Sequence, residues 1–409
     1  MENGHSIYIH IPFCKHRCSY CDFNTYSGLE GLISPYVEAL CTEIQRAGAV
    51  FYPKPEAKTL FLGGGTPSLL PVEQLERIYQ VCSDSFKILP GAEISLEANP
   101  GTLNHTKLVR LRQIGFNRIS LGMQSAHPVD LALLERIHDT VDVIHSVEWA
   151  TKAGFKNISL DLIFGIPGQS LERWKATLET ALTIKPQHLS LYALIVEQAT
   201  PFFNWVQRGL VTSPDEDVGA DMYEWACIRL EEAGYVHYEI SNWALESTEI
   251  NSYCQHNLQY WRNLSYFGFG AGAHGYVNGV RTRNVRGVKS YIDRVNRYSQ
   301  NPFPPGPAGE NSQILERWIE MQETMMVGLR MIQEGVSDER FKDRFGLSIM
   351  DCFPAQVEKL TKLGLLEWAG TSGGTLRLTR RGWLIGNIVF REFVGLPSPP
   401  ELKEVSIIR

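Results

Sequence analysis

Short apolar stretches alternate with amphipathic helical patterns from residue 1 to about residue 245, and this repeat limits the possible folds more than any other feature. The predicted strands are residues 7–11, 59–62, 93–97, 118–122, 158–163 and 188–194. Helical patterns lie between them near 35–47, 72–82, 104–114, 128–153 and 170–184. Repeated β-then-α units form a parallel sheet. Six units are fewer than a closed eight-stranded barrel needs, so we predict an α/β fold with a partial (β/α)6 barrel.

The remaining residues predict further parts, because 409 residues exceed one average domain. The predicted divisions are 1–245 for the barrel, 246–309 for an aromatic and glycine-rich segment and linker that complete the core, 310–395 for a C-terminal domain and 396–409 for a tail. The linker is the proline-rich stretch 301–309.

Helical patterns at 312–331, 337–345 and 350–363 precede two strand-like stretches that flank a glycine-rich turn at 371–374. This order is typical of a winged-helix-like α+β domain. Its third helix carries only Lys359 and Lys362 as cations, so it offers no evident phosphate-binding face. We therefore predict a packing or docking role for this domain rather than DNA binding.

The overall composition, 44% apolar and 21% charged residues, is ordinary for a soluble globular protein. The net charge of −6 argues against a nucleic-acid partner. The sequence has no run of 18 apolar residues and no signal-peptide pattern at its start. Clustered free thiols favour a reducing compartment, so we expect a cytoplasmic protein.

Three cysteines follow the first predicted strand with the spacing C-x3-C-x2-C, namely Cys14, Cys18 and Cys21. Pro12 ends the strand, so the cysteines lie on the loop at its carboxyl end, where a bend brings three thiolates towards one point. Thiolates are the ligands of [4Fe–4S] clusters. Three of them leave one iron of such a cluster open to a small ligand.

Two other interpretations of the cysteines remain open at this point. A structural zinc site prefers four ligands, and the distant Cys41 is the available fourth thiol. Free cysteines are also common in cores. The cationic neighbours Lys15, His16 and Arg17 favour ligation, because nearby positive charge lowers the pKa of a thiol.

The other predicted strands also end in unusual residues. These are the glycine turn at 63–68, Glu97 to Pro100, Gly122 to Ser125, Asp161 with the stretch 164–169, and Tyr192 with Ala193. Sites in parallel α/β barrels gather at the carboxyl ends of strands, and a carboxylate there suits ribose hydroxyls. Each residue also has a purely structural interpretation: a simple turn, a helix cap at Glu97 or a buried pair at Asp161.

Taken together, the segments YxHIPFC, GGGTP, EANP, LGxQS and DLIFGIPGQ resemble the coproporphyrinogen III oxidase branch of the radical S-adenosylmethionine (SAM) superfamily, over nearly the whole chain. The resemblance implies that the three cysteines hold a [4Fe–4S] cluster whose open iron binds SAM, and that an electron from the cluster cleaves SAM to a radical. The SAM-contacting residues that it implies are Tyr8, Tyr20, Gly64, Gly65, Thr66, Pro67, Glu97, Gln124, Arg136, Asp161, Ala193 and His274.

Two departures from the oxidases make the chain similar to the HemW heme chaperones. Phe23 stands where the oxidases have a further cysteine, and the first strand begins close to the start of the chain. The segment 256–261 matches the HNxxYW motif of that group, which implies heme contacts by His256, Asn257, Tyr260 and Trp261. Imidazole is a good heme ligand, although His256 also fits a hydrogen-bonded histidine in an aromatic core.

The resemblance implies a heme chaperone that binds heme, a [4Fe–4S] cluster and SAM. Such a protein transfers heme to acceptor hemoproteins such as respiratory enzymes, by reversible docking near the membrane surface, as a monomer or a dimer. The alternative is an enzyme, an oxygen-independent coproporphyrinogen III oxidase that uses radical SAM chemistry for oxidative decarboxylation. A third class is a winged-helix regulator with a redox cluster, which predicts salt-sensitive DNA binding. The net negative charge of the chain disfavours this class.

Overall fold

The computed structural model describes residues 4–247, 251–297, 303–370 and 374–398. The strands in these ranges are β1 (His5–Ile11), β2 (Phe13–Cys14), β3 (Tyr26–Ser27), β4 (Glu56–Gly64), β5 (Lys87–Ala98), β6 (Arg118–Gln124), β7 (Asn157–Phe164), β8 (His188–Ala193), β9 (Tyr235–Glu239), β10 (Asn242–Leu245), β11 (Tyr266–Phe269), β12 (His274–Val277), β13 (Val280–Asn284), β14 (Gly309–Ile314), β15 (Val336–Ser337), β16 (Leu366–Ala369) and β17 (Thr375–Leu378).

The helices are α1 (Ile33–Gly48), α2 (Val72–Ser85), α3 (His105–Ile114), α4 (Pro128–Leu133), α5 (Thr140–Lys152), α6 (Leu171–Ile184), α7 (Pro201–Gln207), α8 (Glu216–Glu232), α9 (Gln255–Trp261), α10 (Val288–Asn296), α11 (Arg317–Gly328), α12 (Asp338–Phe345), α13 (Ile349–Cys352), α14 (Pro354–Lys362), α15 (Arg380–Leu384) and α16 (Gly386–Arg391).

The main sheet is open and mixed, with the strand order β14-β13-β12-β11-β1-β4-β5-β6-β7-β8-β10-β9. The six predicted strands became β1 and β4 to β8, and each is parallel to its neighbour in that series. The sheet continues beyond β1 with the parallel β11 and the antiparallel hairpin of β12 and β13. The predicted partial α/β barrel is therefore confirmed.

The two faces of this sheet differ in polarity. On β1, Ile7, Ile9 and Ile11 are buried in an apolar core that includes residues of α1 and α2. Because successive side chains of a strand point to opposite faces, Ser6, Tyr8 and His10 share the other face. The same alternation gives β5 to β8 a largely polar inner face, where Arg118 and His188 are buried and Glu97 and Asp161 are partly buried. The inside of the barrel is therefore suited to a polar ligand.

Some boundaries differ from the sequence prediction. The helix predicted at 128–153 is in fact two helices, α4 and α5, because Asp139 caps α5 with a capping box and the chain turns before it. The helix predicted at 312–331 begins at Arg317, since 309–314 form β14. The helices α7 and α8 and the strands β9 and β10 were not predicted.

The chain divides into two compact units. The first comprises Met1–Val236, Trp243–His256 and Ser265–Gln313, and the second comprises His237–Asn242, Asn257–Leu264 and Ile314–Arg409. The second unit contains a three-stranded sheet, β15-β17-β16, with the short helices α12 to α16. The antiparallel pair β16 and β17 matches the predicted ribbon, and β15 adds a third strand.

Several predicted features lie wholly or partly outside the described residues. These are residues 301–302 of the linker, 371–373 of the glycine-rich turn and 399–409 of the predicted tail. In the part of the chain that the structure describes, no helix combines the length and the apolar character that a membrane span requires.

Candidate functional site

The three cysteines lie on the loop between β1 and α1. This loop is fixed by a short parallel pair of strands in which Phe13 pairs with Tyr26. The Cys21 amide donates to the Cys18 carbonyl at 3.2 Å, which closes a tight turn around two of the thiols. The Ser19 carbonyl accepts from the Phe202 amide at 3.0 Å, so the start of α7 holds the loop from the other side.

The thiols are partly buried and lie close enough to influence one another. Burial is the largest cause of the raised pKa of Cys14, and the charges of Cys18 and Cys21 add to it. The Thr66 hydroxyl lies 3.7 Å from the Cys14 Sγ atom, and the Thr25 hydroxyl lies 3.8 Å from that of Cys21. Such a set of thiolates is stabilised by bound iron and by hydrogen bonds to sulfur.

The turn after β4 lines the side of this loop. Gly64 has a φ of 113°, a conformation that glycine adopts without strain. The amides of Gly65 and Thr66 donate to the carbonyls of Ile11 and Phe13, both at 2.8 Å. A Cβ atom on Gly65 would lie 2.7 Å from the Phe13 oxygen and 3.1 Å from the Cys14 Sγ atom. The turn therefore needs glycine where its backbone meets the thiols, which fits the cluster implied by the sequence.

Within the described ranges, no three carboxylate, imidazole or thiol side chains surround one point closely enough to hold a single metal ion. A [4Fe–4S] cube has a different requirement, since each thiolate binds its own iron.

Two partly buried carboxylates, Glu97 and Asp161, lie on the inner face of the sheet. The Glu97 Oε2 atom accepts from the Gly64 amide at 2.9 Å, and burial raises the pKa of this side chain to about 7. Asp161 accepts from the Ser120 hydroxyl at 3.1 Å, and burial also raises its pKa. The charge of Asp161 adds to the raised pKa of Glu97, whereas the nearby Arg118 lowers the pKa of both carboxyl groups. These oxygens are suited to accept hydrogen bonds from ligand hydroxyls.

Arg136 connects the cysteine loop to the ends of β5 and β6. Its Nη1 atom lies 3.7 Å from the Cys18 Sγ atom, and Nη2 donates to the Gly122 carbonyl at 3.0 Å and to the Asn99 side chain. Gln124, at the end of β6, has a left-handed φ of 62°. Non-glycine residues in this conformation are often found at functional sites.

Tyr8, Tyr20 and Ala193 lie at other points of the same edge. The Tyr8 hydroxyl is 2.9 Å from the His10 Nδ1 atom, and its ring stacks on Phe61 at a centroid distance of 6.3 Å. Burial raises the pKa of Tyr20, which lies near Arg136. Ala193 is exposed at the end of β8.

Pro67, the last residue of the predicted SAM set in the glycine turn, is buried in a 3-10 turn after β4. The structure thus brings the predicted residues of β1 and β4 to β8 to one edge of the sheet. Their contact with SAM stays a prediction.

His274 stands on a different element, at the start of β12. It is exposed and pairs with Arg283 of β13. Burial and the charges of Arg283, Arg281 and Arg286 lower the pKa of its imidazole.

The HNxxYW motif begins at α9. His256 is 1% exposed, its Nδ1 atom lies 2.6 Å from the Thr59 hydroxyl, and its ring stacks on Phe61 at 4.9 Å. Its amide and that of Gln255 donate to the Glu93 carboxylate at 3.1 and 3.0 Å. His256 therefore fits the core-histidine interpretation of the sequence, and heme contact by it stays a prediction.

Asn257, Tyr260 and Trp261 belong to the second unit, where the Arg330 guanidinium lies 4.9 Å from the centre of a Trp261 ring.

Three further residues organise the site although the sequence prediction did not assign them. Asn24 donates to the carbonyls of Ala271 and Arg286, both at 3.0 Å, and so ties the cysteine loop to the β11–β12 turn. The Asn99 side chain accepts a hydrogen bond from Arg136, and the Glu93 carboxylate accepts hydrogen bonds from the first two amides of α9. Asn99 stands in the EANP segment that the sequence singled out, whereas nothing in the local sequence distinguishes Asn24.

Comparison with known proteins agrees with this geometry. Residues 8–181 match the Radical SAM superfamily, and residues 315–385 match the HemN C-terminal domain. The coproporphyrinogen III oxidase HemN of Escherichia coli, described as a radical SAM enzyme, has the same fold: its TM-score is 0.81 at 22% identity, with 96% of this chain and 91% of that chain covered.

Curated relatives extend over nearly the whole chain. The heme chaperone HemW of Bacillus subtilis is 41% identical over 95% of this chain and 99% of its own length. That of Lactococcus lactis is 36% identical over 96% and 98%, and that of Escherichia coli is 38% identical over 70% and 73%. The cysteine loop, the strand-end residues and this similarity lead to one conclusion: the chain belongs to the HemW heme chaperone family of radical SAM proteins.

Proposed function

We propose that this protein is a cytoplasmic heme carrier that binds heme, a [4Fe–4S] cluster and SAM, and that it transfers heme to acceptor hemoproteins such as respiratory enzymes. The observation that carries this proposal is the 41% identity to a heme chaperone over 95% of the chain, on a scaffold that keeps the cysteine loop. Phe23 in place of a further cysteine supports the carrier over the oxidase.

Cys14, Cys18 and Cys21 would hold the cluster. Thr66 and Arg136 donate to the sulfur atoms of Cys14 and Cys18, and the Thr25 hydroxyl, 3.8 Å from the Cys21 Sγ atom, would donate to that sulfur once it is a thiolate. Donors to ligating sulfur stabilise the thiolate and tune the potential of a cluster. With SAM bound, such a cluster supplies one-electron chemistry.

The SAM side of the site would use the same edge of the sheet. Glu97 and Asp161 would accept from the ribose hydroxyls, and Ala193, exposed at the end of β8, would contact the adenine side. Gly64 and Gly65 let the turn after β4 pack closely against His10 and the cysteine loop, because a Cβ atom on either would collide with them. The amino acid part of the ligand would lie against this turn. Desolvation already raises the pKa of both carboxyl groups, and hydrogen bonds are stronger in such a low-dielectric setting.

The second candidate function is oxidative decarboxylation of coproporphyrinogen III. The observation that favours it is the complete set of cysteines and strand-end residues, since a passive carrier does not need the groups that cleave SAM. An anaerobic assay with reductant, SAM and coproporphyrinogen III separates the two functions. We expect no protoporphyrinogen; formation in stoichiometric amount would overturn the carrier proposal.

The direct test is heme binding and transfer. The reconstituted, oxygen-free protein is titrated with heme at micromolar concentration, and the Soret band is followed. We expect a saturable shift, and transfer from the loaded protein to the apo form of a heme b respiratory protein faster than from free heme. Cys14→Ser, with Cys41→Ser as the matched control, reports whether transfer needs the cluster. An unshifted Soret band with the cluster intact would contradict heme carriage.

A further inference from the structure

The β12–β13 hairpin lies next to the cysteine loop, since Asn24 of that loop donates to the carbonyl of Arg286, which follows β13. The strand β11 pairs with β12 at Tyr266 and Tyr276. Beyond this pair the backbone of His274 comes so close to Gly268 that a Cβ atom on this glycine would collide with the His274 carbonyl. Gly268 pairs in turn with Tyr8 of β1, so one strand, β11, separates His274 from the strand that leads into the cysteine loop. The charge of His274 contributes to the lowered pKa of the nearby His10.

Arginines surround this histidine. Arg283 pairs directly with His274, and Arg281 is two residues earlier on β13, so both side chains leave the same face of the hairpin as the imidazole. Arg286 follows β13, and its carbonyl accepts from Asn24 at 3.0 Å. All three guanidinium groups lie close enough to lower the pKa of His274. The hairpin therefore presents one imidazole among three cations, on a chain whose net charge is −6.

These side chains are accessible. His274, Arg283 and Arg286 are exposed, and Phe23, which directly precedes Asn24 on the cysteine loop, is 64% exposed. Arg283 forms a surface ion pair with Glu310 at 3.1 Å, and such a pair is weak enough to exchange for another anion. An accessible imidazole, guanidinium groups and an apolar ring on the adjoining cysteine loop supply what a heme needs: a ligand for iron, partners for its propionates and a surface for its macrocycle.

We propose that His274 binds the heme iron and that Arg281, Arg283 and Arg286 hold the heme propionates. This assignment rests on the proposed heme carriage, and it gives His274 a role different from the SAM contact that the family resemblance implies. Imidazole must be neutral to bind iron, and the cationic surroundings favour the neutral form.

The other accessible histidines fit this role less well. Among the described residues, His16, His105 and His145 are also exposed. His16, on the cysteine loop, lies 3.7 Å from the Glu135 carboxylate, and His145 stacks on Trp149 of α5. His105 is the first residue of α3, a helix whose Leu108 and Leu111 pack into the apolar core. His105 therefore serves as the matched control.

The experiment uses the full-length, cluster-loaded protein and three porphyrins: heme, iron-free protoporphyrin IX and heme dimethyl ester. His274→Ala should remove the ligation signature in the Soret region and weaken heme binding about tenfold or more, while protoporphyrin affinity changes less than twofold. Millimolar imidazole should restore the ligation signature in His274→Gly. His105→Ala should behave as the wild type. The SAM affinity of His274→Ala should stay within twofold.

The arginines are tested with Arg283→Gln and Arg286→Gln, against the surface control Arg110→Gln. Both hairpin variants should weaken heme and protoporphyrin several-fold and leave the dimethyl ester unchanged, because it has no carboxylate to bind. An unchanged heme spectrum in His274→Ala would overturn the assignment of His274 to the heme iron. Loss of SAM binding with heme ligation intact would overturn it too. Neither result would contradict the proposal that the protein carries heme. If the wild-type protein itself gives no Soret shift, the proposed heme-carrier function is wrong, and this result is distinct from a failure of the His274 assignment alone.

Discussion

The Arg136 Nη1 atom lies 3.7 Å from the Sγ atom of Cys18, 118 residues earlier in the chain. The same guanidinium also binds Asn99 and the Gly122 carbonyl, so one side chain joins the cysteine loop to the ends of β5 and β6. Arg136 lies between α4 and α5, where the sequence predicted one continuous helix. The break in that helix allows the side chain to reach the cysteine loop.

Arg136→Met should weaken SAM binding because it removes a cation and its hydrogen bonds from the candidate site. Hydrogen bonds to charged groups contribute about 1.5–3 kcal/mol, which corresponds to a rise in Kd of about tenfold or more. Isothermal titration of the cluster-loaded protein with SAM measures this change. Arg110→Gln, which alters a surface pair with Glu76, is the control. Equal SAM affinity in both variants would show that Arg136 is not part of the SAM site.

Gly65→Ala should disturb the cluster loop. The new Cβ atom would approach the Phe13 carbonyl to 2.7 Å and the Cys14 Sγ atom to 3.1 Å, so the turn after β4 must move. Iron and sulfide content after reconstitution should fall well below the wild-type value. Gly101→Ala is the matched control, because its Cβ atom would meet no heavy atom within 4 Å. Full cluster loading in Gly65→Ala would contradict the close packing described for this turn.

Glu43 should make the stability of the first unit depend on pH. Its carboxylate accepts from the Gly270 amide, Asn284 and the Tyr291 hydroxyl, yet burial raises its pKa from 4.5 to about 7. Between these two values the folded state holds a proton that the unfolded chain has released, so the free energy of unfolding falls as the pH rises.

The expected loss is about 3 kcal/mol between pH 4.5 and pH 7 for this one group, at 1.36 kcal/mol per pKa unit. Urea unfolding of the wild type and of Glu43→Gln at pH 5 and pH 8 measures the difference, since other groups contribute equally to both. The wild type should lose more stability than the variant over this interval. Parallel losses in the two proteins would show that Glu43 keeps an ordinary pKa.

His256→Ala should mainly destabilise the fold. The substitution removes a buried ring that stacks on Phe61 and leaves the Thr59 hydroxyl without its 2.6 Å contact. A cavity together with a lost hydrogen bond costs about 2–4 kcal/mol. Thermal unfolding measures this cost, with the exposed His145→Ala as the control. A variant of wild-type stability that no longer gives the Soret shift would instead assign His256 to the heme.

The sequence alone determined most of the barrel. The alternation of apolar strands with amphipathic helices predicted β1 and β4 to β8, because burial of an apolar stripe is a local pattern. The largest error in a strand boundary is at β5, which begins at Lys87, six residues before the predicted start. The spacing of Cys14, Cys18 and Cys21 likewise fixes their place on one loop. Neighbouring cysteines are only four and three positions apart in the sequence, so the chain between them is too short to separate them far. Strand ends carry the other candidate residues for the same reason: parallel strands align their carboxyl ends.

Only the tertiary structure decided which distant residues meet. Asn24 reaches the β11–β12 turn across more than two hundred residues of sequence, and no local pattern encodes such a contact. His256 and His274 are each one histidine in an aromatic and glycine-rich stretch, yet packing buries the first under Tyr8 and Phe61 and leaves the second exposed among arginines. Burial of a polar side chain depends on what the whole sheet brings against it, and a single sequence does not record that arrangement.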